Sequence, residues 1–191
     1  MIENSSKRDS WIKEGYVMFA SAGPEGLKIE RLSKQVKKNK SSFYHHFADL
    51  EVFTSLLLDY HLQQAKLVSQ KEAASKTQEE LVQVILDHKL DLLFNRQLRI
   101  HRENKEFANC FNEVNKFSIP AIIPIWKDII GLHDNSYLAE LVLQLSLENF
   151  FLQITAETLN ANWLNNYLDS IRHFVSQFEN KKSIYPIDGS V

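Results

Sequence analysis

Between Lys40 and Phe47 the chain reads Lys-Ser-Ser-Phe-Tyr-His-His-Phe, a run in which small, basic and phenolic side chains surround two large apolar ones. Phe43 and Phe47 lie one helical turn apart, so a helix that buries them turns Lys40, Ser41, Ser42, Tyr44 and His45 away from the core. Short side chains at Ser41 and Ser42 allow close approach to base edges. Lys40 can reach guanine or phosphate, and the Tyr44 hydroxyl can donate to a phosphate oxygen. The chemistry this pattern fits is contact with the major groove of double-stranded DNA; a solvated polar face on an ordinary small helix would carry the same pattern. Asn39 is placed to cap the helix, and Lys28, Lys38 and Asn39 are expected to join the DNA contacts beside it.

The other reactive residue types form no comparable group. His88, His101, His133 and Cys110 stand at no metal-ligand spacing such as His-Glu-x-x-His, and Cys110 has no base near it in sequence. A carboxylate-bridged bundle enzyme would need two Glu-x-x-His pairs, and a nucleotide enzyme a glycine-rich phosphate loop; neither motif is present. The expectation is a protein that is not an enzyme and that uses no metal and no cofactor. One cysteine allows no intramolecular disulfide, no apolar run reaches membrane-spanning length, and no signal-peptide core follows Lys7-Arg8-Asp9. A cytoplasmic protein with no membrane partner is expected.

The elements that must position the DNA-facing residues are helices. Five glycines and four prolines in 191 residues, with a 44% hydrophobic composition, favour an all-α fold with a substantial core. The net charge of −2 is unevenly placed: nine Lys/Arg against five Asp/Glu through Phe47 make a head of +4, and the remainder carries −6. Apolar spacing predicts a first helix over Trp11–Ala22, stopped at Gly23-Pro24-Glu25-Gly26. A second short helix follows on Leu27, Ile29, Leu32 and Val36, and a third runs from Asn39 to Phe47. Asp49 opens a fourth, to about Val68, with Ser69–Lys76 wholly polar. Thr77-Gln78-Glu79-Glu80 has capping-box spacing and opens a helix through Leu93. Asn95–Lys105 is more polar, Pro120 and Pro124 are expected to restrict helices, and two long helices span Ser136–Leu159 and Trp163–Phe178. A loosely ordered tail is expected from about Asn180.

Trp11–His61 resembles the DNA-binding domain of the TetR family of transcriptional regulators. The resemblance rests on Phe19-Ala20-Ser21-Ala22-Gly23, on Leu27-Lys28-Ile29-Glu30-Arg31-Leu32-Ser33, and on Phe43-Tyr44-His45-His46-Phe47, which is similar to the family's Leu-Tyr-Tyr-His-Phe signature. It implies a phosphate contact for Tyr44 and a phosphate or base contact for His45. Lys40, Ser41 and Ser42 fall where the family reads the major groove, and His46 falls on a structural histidine. The sequence departs from the family at Lys37-Lys38, in place of Gly-Val, at Ser33, in place of alanine, and at Leu50, in place of a phosphate-anchoring lysine. An irregular or looser turn is therefore expected.

The implied architecture is a three-helix helix-turn-helix domain at residues 1–48, a helical-bundle regulatory and dimerisation domain at 49–180, and a tail at 181–191. The implied function is sequence-specific transcriptional regulation, as a repressor freed from a palindromic operator by a small apolar effector. Phe94, Phe107, Phe111, Phe117, Trp126, Phe150 and Phe151 are the expected pocket, with Asn112, Asn115, Asn149 and Gln153 as polar groups. Leu141, Leu145 and Phe151, with Trp163, Tyr167, Ile171 and Phe174, are the expected homodimer interface. A helical adaptor that keeps a degenerate head is the alternative.

Overall fold

The computed structural model describes residues 2–182, and those residues form an all-α molecule. α1 (Ile2–Gly26) begins earlier than the apolar spacing suggests. Its regular part ends at Gly23, where φ of 65° admits only glycine readily; Pro24–Gly26 adds a final turn after that kink. α2 (Ile29–Val36) and α3 (Lys40–His46) follow. The Asn39 carboxamide caps α3 by accepting the Ser42 N–H at 2.8 Å, and Asp49 caps α4 (Leu50–Ala74) by accepting the Val52 N–H at 2.8 Å. α4 runs past Val68 to Ala74 because Val68, Ser69 and Glu72 are buried on its inner face, so the polar stretch continues the helix.

The expected helix from Thr77 to Leu93 is two helices, α5 (Gln78–Asp87) and α6 (Lys89–Ile100), parted at His88. Thr77 caps α5 through the Glu80 N–H, while the Glu80 carboxylate takes the N–H of Lys76 in place of that of Thr77. α7 (Lys105–Ile130) contains both Pro120 and Pro124, against the expectation that they would limit it. Both prolines face outward, where water can satisfy the carbonyls their missing N–H groups release. α8 (Ser136–Gln153) stops six residues short of the expected end; Thr158 Oγ1 donates to the Gln153 carbonyl in the turn that follows. α9 (Ala161–Lys182) is longer at both ends than expected, and the predicted tail lies, from residue 183, outside the described residues.

Two apolar clusters organise these helices. The first joins Trp11, Phe19, Leu32, Phe43, Phe47, Phe53 and Leu57 to Phe94 and Leu98 of α6 and Phe107, Cys110 and Phe111 of α7. Head and body are therefore continuous in packing: Phe94 stacks on both Tyr16 and Phe19, each at 4.3 Å between ring centroids. The second cluster draws on α5, the end of α7, α8 and α9, and includes Trp126, Leu143, Phe150, Phe151 and Leu164. Hydrogen bonds tie it together, among them the buried Trp126 Nε1 to the Ala139 carbonyl at 3.0 Å and the part-buried Arg172 Nε to the Ile129 carbonyl at 2.7 Å.

Candidate nucleic-acid interface and ligand cavity

α3 is held from behind by aromatic contacts to two helices, α1 and α4. Phe43 meets Trp11 of α1 at 5.5 Å and Phe53 of α4 at 5.3 Å, edge to face, and Phe47 meets Phe53 at 4.8 Å. The opposite side is open: Lys28, Lys38, Asn39, Lys40, Ser41 and His45 are exposed, Tyr44 is 56% exposed, and Ser42 is half-buried. Of the eight residues singled out for DNA, seven are thus exposed and Ser42 is half-buried. Lys40 forms an ion pair with Glu30 of α2, which holds the Glu30 carboxyl below the usual carboxylate range.

The turn between α2 and α3 is regular, contrary to the looser turn expected from Lys37-Lys38. Lys37 takes the left-handed conformation at φ 57°, the Lys38 N–H reaches the Ser33 carbonyl at 2.9 Å, and the Lys37 N–H reaches Lys34 at 3.2 Å. These are the paired bonds of a Schellman helix end. Lys38 points outward, while Val36 packs on the first cluster, so no charge is buried. Leu50 also packs there, at the start of α4.

The body holds a cavity of about 110 Å³, bordered by α4 through α9, whose apolar lining is drawn largely from the second cluster. Trp126, Phe150, Phe151 and Asn115 line it as expected. Phe94, Phe107 and Phe111 do not: the first cluster buries them where head and body meet, and the Arg99 guanidinium covers the Phe111 ring. Asn112, Asn149 and Gln153 face outward, and Phe117 is half-buried away from the lining. Sequence reasoning missed the polar wall on α4 and α6, namely His61, Ser69, Glu72, Asp91 and Asn95. The i, i+4 and i+7 spacing of His61, Ala65 and Val68 on an otherwise apolar face was the available signal.

Burial pushes the His61 imidazole down to about 4, outweighing Asp91 and Asn95, which favour its charged form; the ring is therefore neutral near pH 7. Burial pushes the Glu72 carboxyl up to about 7. The thiol of Cys110, also buried, is pushed up to about 12, which leaves it unreactive. Among the described residues, no group of three or more His, Cys, Asp or Glu side chains converges as metal ligands would. No described helix is long and apolar enough to cross a membrane.

Of the expected interface residues, Leu141 (40% exposed), Leu145 (63%) and Phe174 (58%) are open to solvent. Tyr137 and Leu152 extend the apolar stripe of α8. Trp163, Tyr167 and Ile171 instead pack partly against the second cluster, with the Trp163 and Tyr167 rings stacked at 5.2 Å and the Tyr167 hydroxyl donating to the Ser146 carbonyl. Phe151 is buried.

The arrangement defines an all-α protein with an N-terminal helix-turn-helix and a helical body that holds a cavity. Two solved structures share this fold. One, a proposed TetR-family transcriptional regulator from Mesorhizobium loti MAFF303099, superposes with a TM-score of 0.57 at 15% identity, covering 91% of this chain and 96% of that one. The other, a proposed TetR-family transcriptional regulator from Rhodococcus sp., gives 0.52 at 16% identity, covering 92% and 97%. No family model and no curated protein matches the sequence.

Proposed function

We propose that this chain is a dimeric, cytoplasmic transcriptional regulator of the TetR type that inserts α3 into the major groove of a palindromic operator. The observation that carries the reading is the outward face of α3, small and basic, on a helix whose other side is locked by Phe43 and Phe47 against α1 and α4. The basic head supports it, because phosphate attraction supplies much of the affinity of such modules. So does the similarity of fold to the two proposed regulators. The exposed Leu141, Leu145 and Phe174 are apolar surface that a second copy would cover, placing two heads on two half-sites. The cavity is the place for a small, largely apolar effector whose binding favours the DNA-free arrangement, which makes the protein a repressor.

The test is a gel shift and an anisotropy titration with DNA flanking the encoding gene. Lys40→Ala and His45→Ala should each cost about 1–3 kcal/mol if they contact bases. Tyr44→Phe should lower affinity for all sequences alike and flatten the salt dependence. A Lys40, Tyr44 and His45 triple variant that keeps full operator affinity would overturn the reading.

A further inference from the structure

The polar end of the cavity nearest the head belongs to a hydrogen-bonded chain whose direction can be deduced. Lys71 Nζ lies 2.7 Å from His88 Nε2; an ammonium only donates, so His88 carries its proton on Nδ1. That Nδ1 lies 3.0 Å from Asp91 Oδ2, a carboxylate oxygen that only accepts. The other oxygen, Asp91 Oδ1, receives the Tyr16 hydroxyl at 2.7 Å. Tyr16 has spent its single proton there, so its oxygen must accept from His61 Nδ1, 2.7 Å away. His61 is therefore the Nδ1–H tautomer, and its Nε2 is a bare acceptor. Stacking of the imidazole on Phe94 at 4.5 Å fixes the plane of the ring, and the Tyr16 contact fixes which nitrogen points towards α1.

His61 is 1% exposed and Asn95 6% exposed, and both line the cavity. With His61 in this tautomer, neither its Nε2 nor Asn95 Oδ1 receives a proton from a described residue; Asn95 lies within hydrogen-bonding reach of the imidazole and would accept from its charged form. Two buried acceptors without donors are costly to leave so, and what satisfies both must bring N–H or O–H groups. The cavity wall also holds the carboxyls of Asp91 and Glu72 and, among the described residues, neither lysine nor arginine. At the His61 end the nearby carboxyl is that of Asp91, with no cationic side chain among the described residues of the wall, so an anion is disfavoured there relative to a cation. His61 and Glu72 stand eleven residues apart on α4, roughly 16 Å along its axis, so a small molecule engages one end at a time.

We propose that the head-side end of the cavity is an amine subsite, in which His61 Nε2 and Asn95 Oδ1 accept hydrogen bonds from the ammonium group of a small apolar amine whose body lies against Trp126 and Phe150. This rests on the reading of the cavity as an effector site and narrows it to one ligand chemistry. It also joins the ligand to the head, since the acceptor is oriented through Tyr16 of α1. At about 110 Å³ the cavity is smaller than the dry apolar cavity of about 150 Å³ that accommodates benzene, so a single aromatic ring with a short chain enters only with small side-chain movements in the wall.

The experiment compares three probes of similar shape by calorimetric titration of the full chain at pH 7.5: 2-phenylethylamine, n-propylbenzene and 3-phenylpropionate. The amine should bind about tenfold more tightly than the hydrocarbon, and the carboxylate most weakly. Asn95→Leu should erase the amine's advantage while propylbenzene still binds, which shows that the cavity survives the substitution. Imidazole ¹⁵N shifts of the wild type, independent of any variant, should report the Nδ1–H tautomer with Nε2 becoming hydrogen-bonded on addition of the amine. An Nε2–H tautomer, a hydrocarbon that binds as tightly as the amine, or a carboxylate that binds best overturns the subsite and leaves the cavity as an apolar effector site. Binding of none of the three probes overturns the subsite and the effector reading of the cavity together.

Discussion

Lys37 adopts the left-handed backbone conformation that glycine tolerates without cost, and it does so at the end of α2, the helix that precedes α3. Lys37→Gly should stabilise the protein by about 1 kcal/mol in urea unfolding, because the crowding at Cβ disappears while the Schellman bonds stay. Glu30 bears on the proposed DNA contact instead: it holds Lys40 in an ion pair and adds negative charge on the side from which phosphate would approach. Glu30→Gln should therefore tighten operator binding several-fold in an anisotropy titration, and an unchanged or weaker affinity would show that Lys40 does not face DNA. Glu72 and His61 give opposite pH signatures. With its folded pKa raised from 4.5 to about 7, Glu72 leaves stability untouched below pH 4.5, lowers it as pH rises through that window, and lowers it fully above 7. With its folded pKa lowered from 6.5 to about 4, His61 contributes fully above 6.5 and loses that contribution as pH falls towards 4. Glu72→Gln should match the wild type near pH 4 and exceed it above pH 7 by on the order of 3 kcal/mol in urea midpoint series.

At the scale of elements, the approach of α1 to α4 sets where the head sits. Gly15 makes that approach possible: a Cβ there would lie 2.4 Å from Phe53 Cζ and 2.6 Å from Cε1. Phe53 is fully buried against Phe43 and Phe47, so its ring has nowhere to retreat. Gly15→Ala should cost about 1–3 kcal/mol in thermal unfolding and should weaken DNA binding as well, by tilting α1 away from the helix that supports α3. Much at this scale was legible. Asn39, Asp49 and Thr77 cap the helices their types and positions predict, since a cap is decided by a few neighbouring residues. The break at His88 and the passage of α7 through two prolines were not legible, because local propensity yields to the packing of both flanking segments.

For the whole molecule, the apolar stripe of α8 and the exposed Phe174 of α9 bear on assembly. A Leu141→Glu, Leu145→Glu double variant should run as a monomer in light scattering, with its helical circular dichroism intact, and should bind a palindromic operator far more weakly than the wild type. A wild-type protein that is monomeric at micromolar concentration would remove the basis for reading a palindrome. α4, α6 and α7 each contribute side chains both to the first apolar cluster, which holds the head, and to the lining of the cavity, so the same helices touch both.

The all-α class, the three short helices of the head and the outward set Lys40, Ser41, Ser42, Tyr44 and His45 follow from the sequence alone. Each depends on spacing along one helix, which geometry converts directly into a face. The cavity is different. Aromatic residues crowd the middle of the sequence, but only the tertiary structure separates Phe94, Phe107 and Phe111, consumed by the core between head and body, from Trp126, Phe150 and Phe151, which face the open space. It alone brings Tyr16, His61 and Asp91, from three helices, into one hydrogen-bonded chain. Which side of a helix is apolar is a local property, whereas which apolar atoms meet one another and which buried polar atoms lack a partner depends on how separate helices pack.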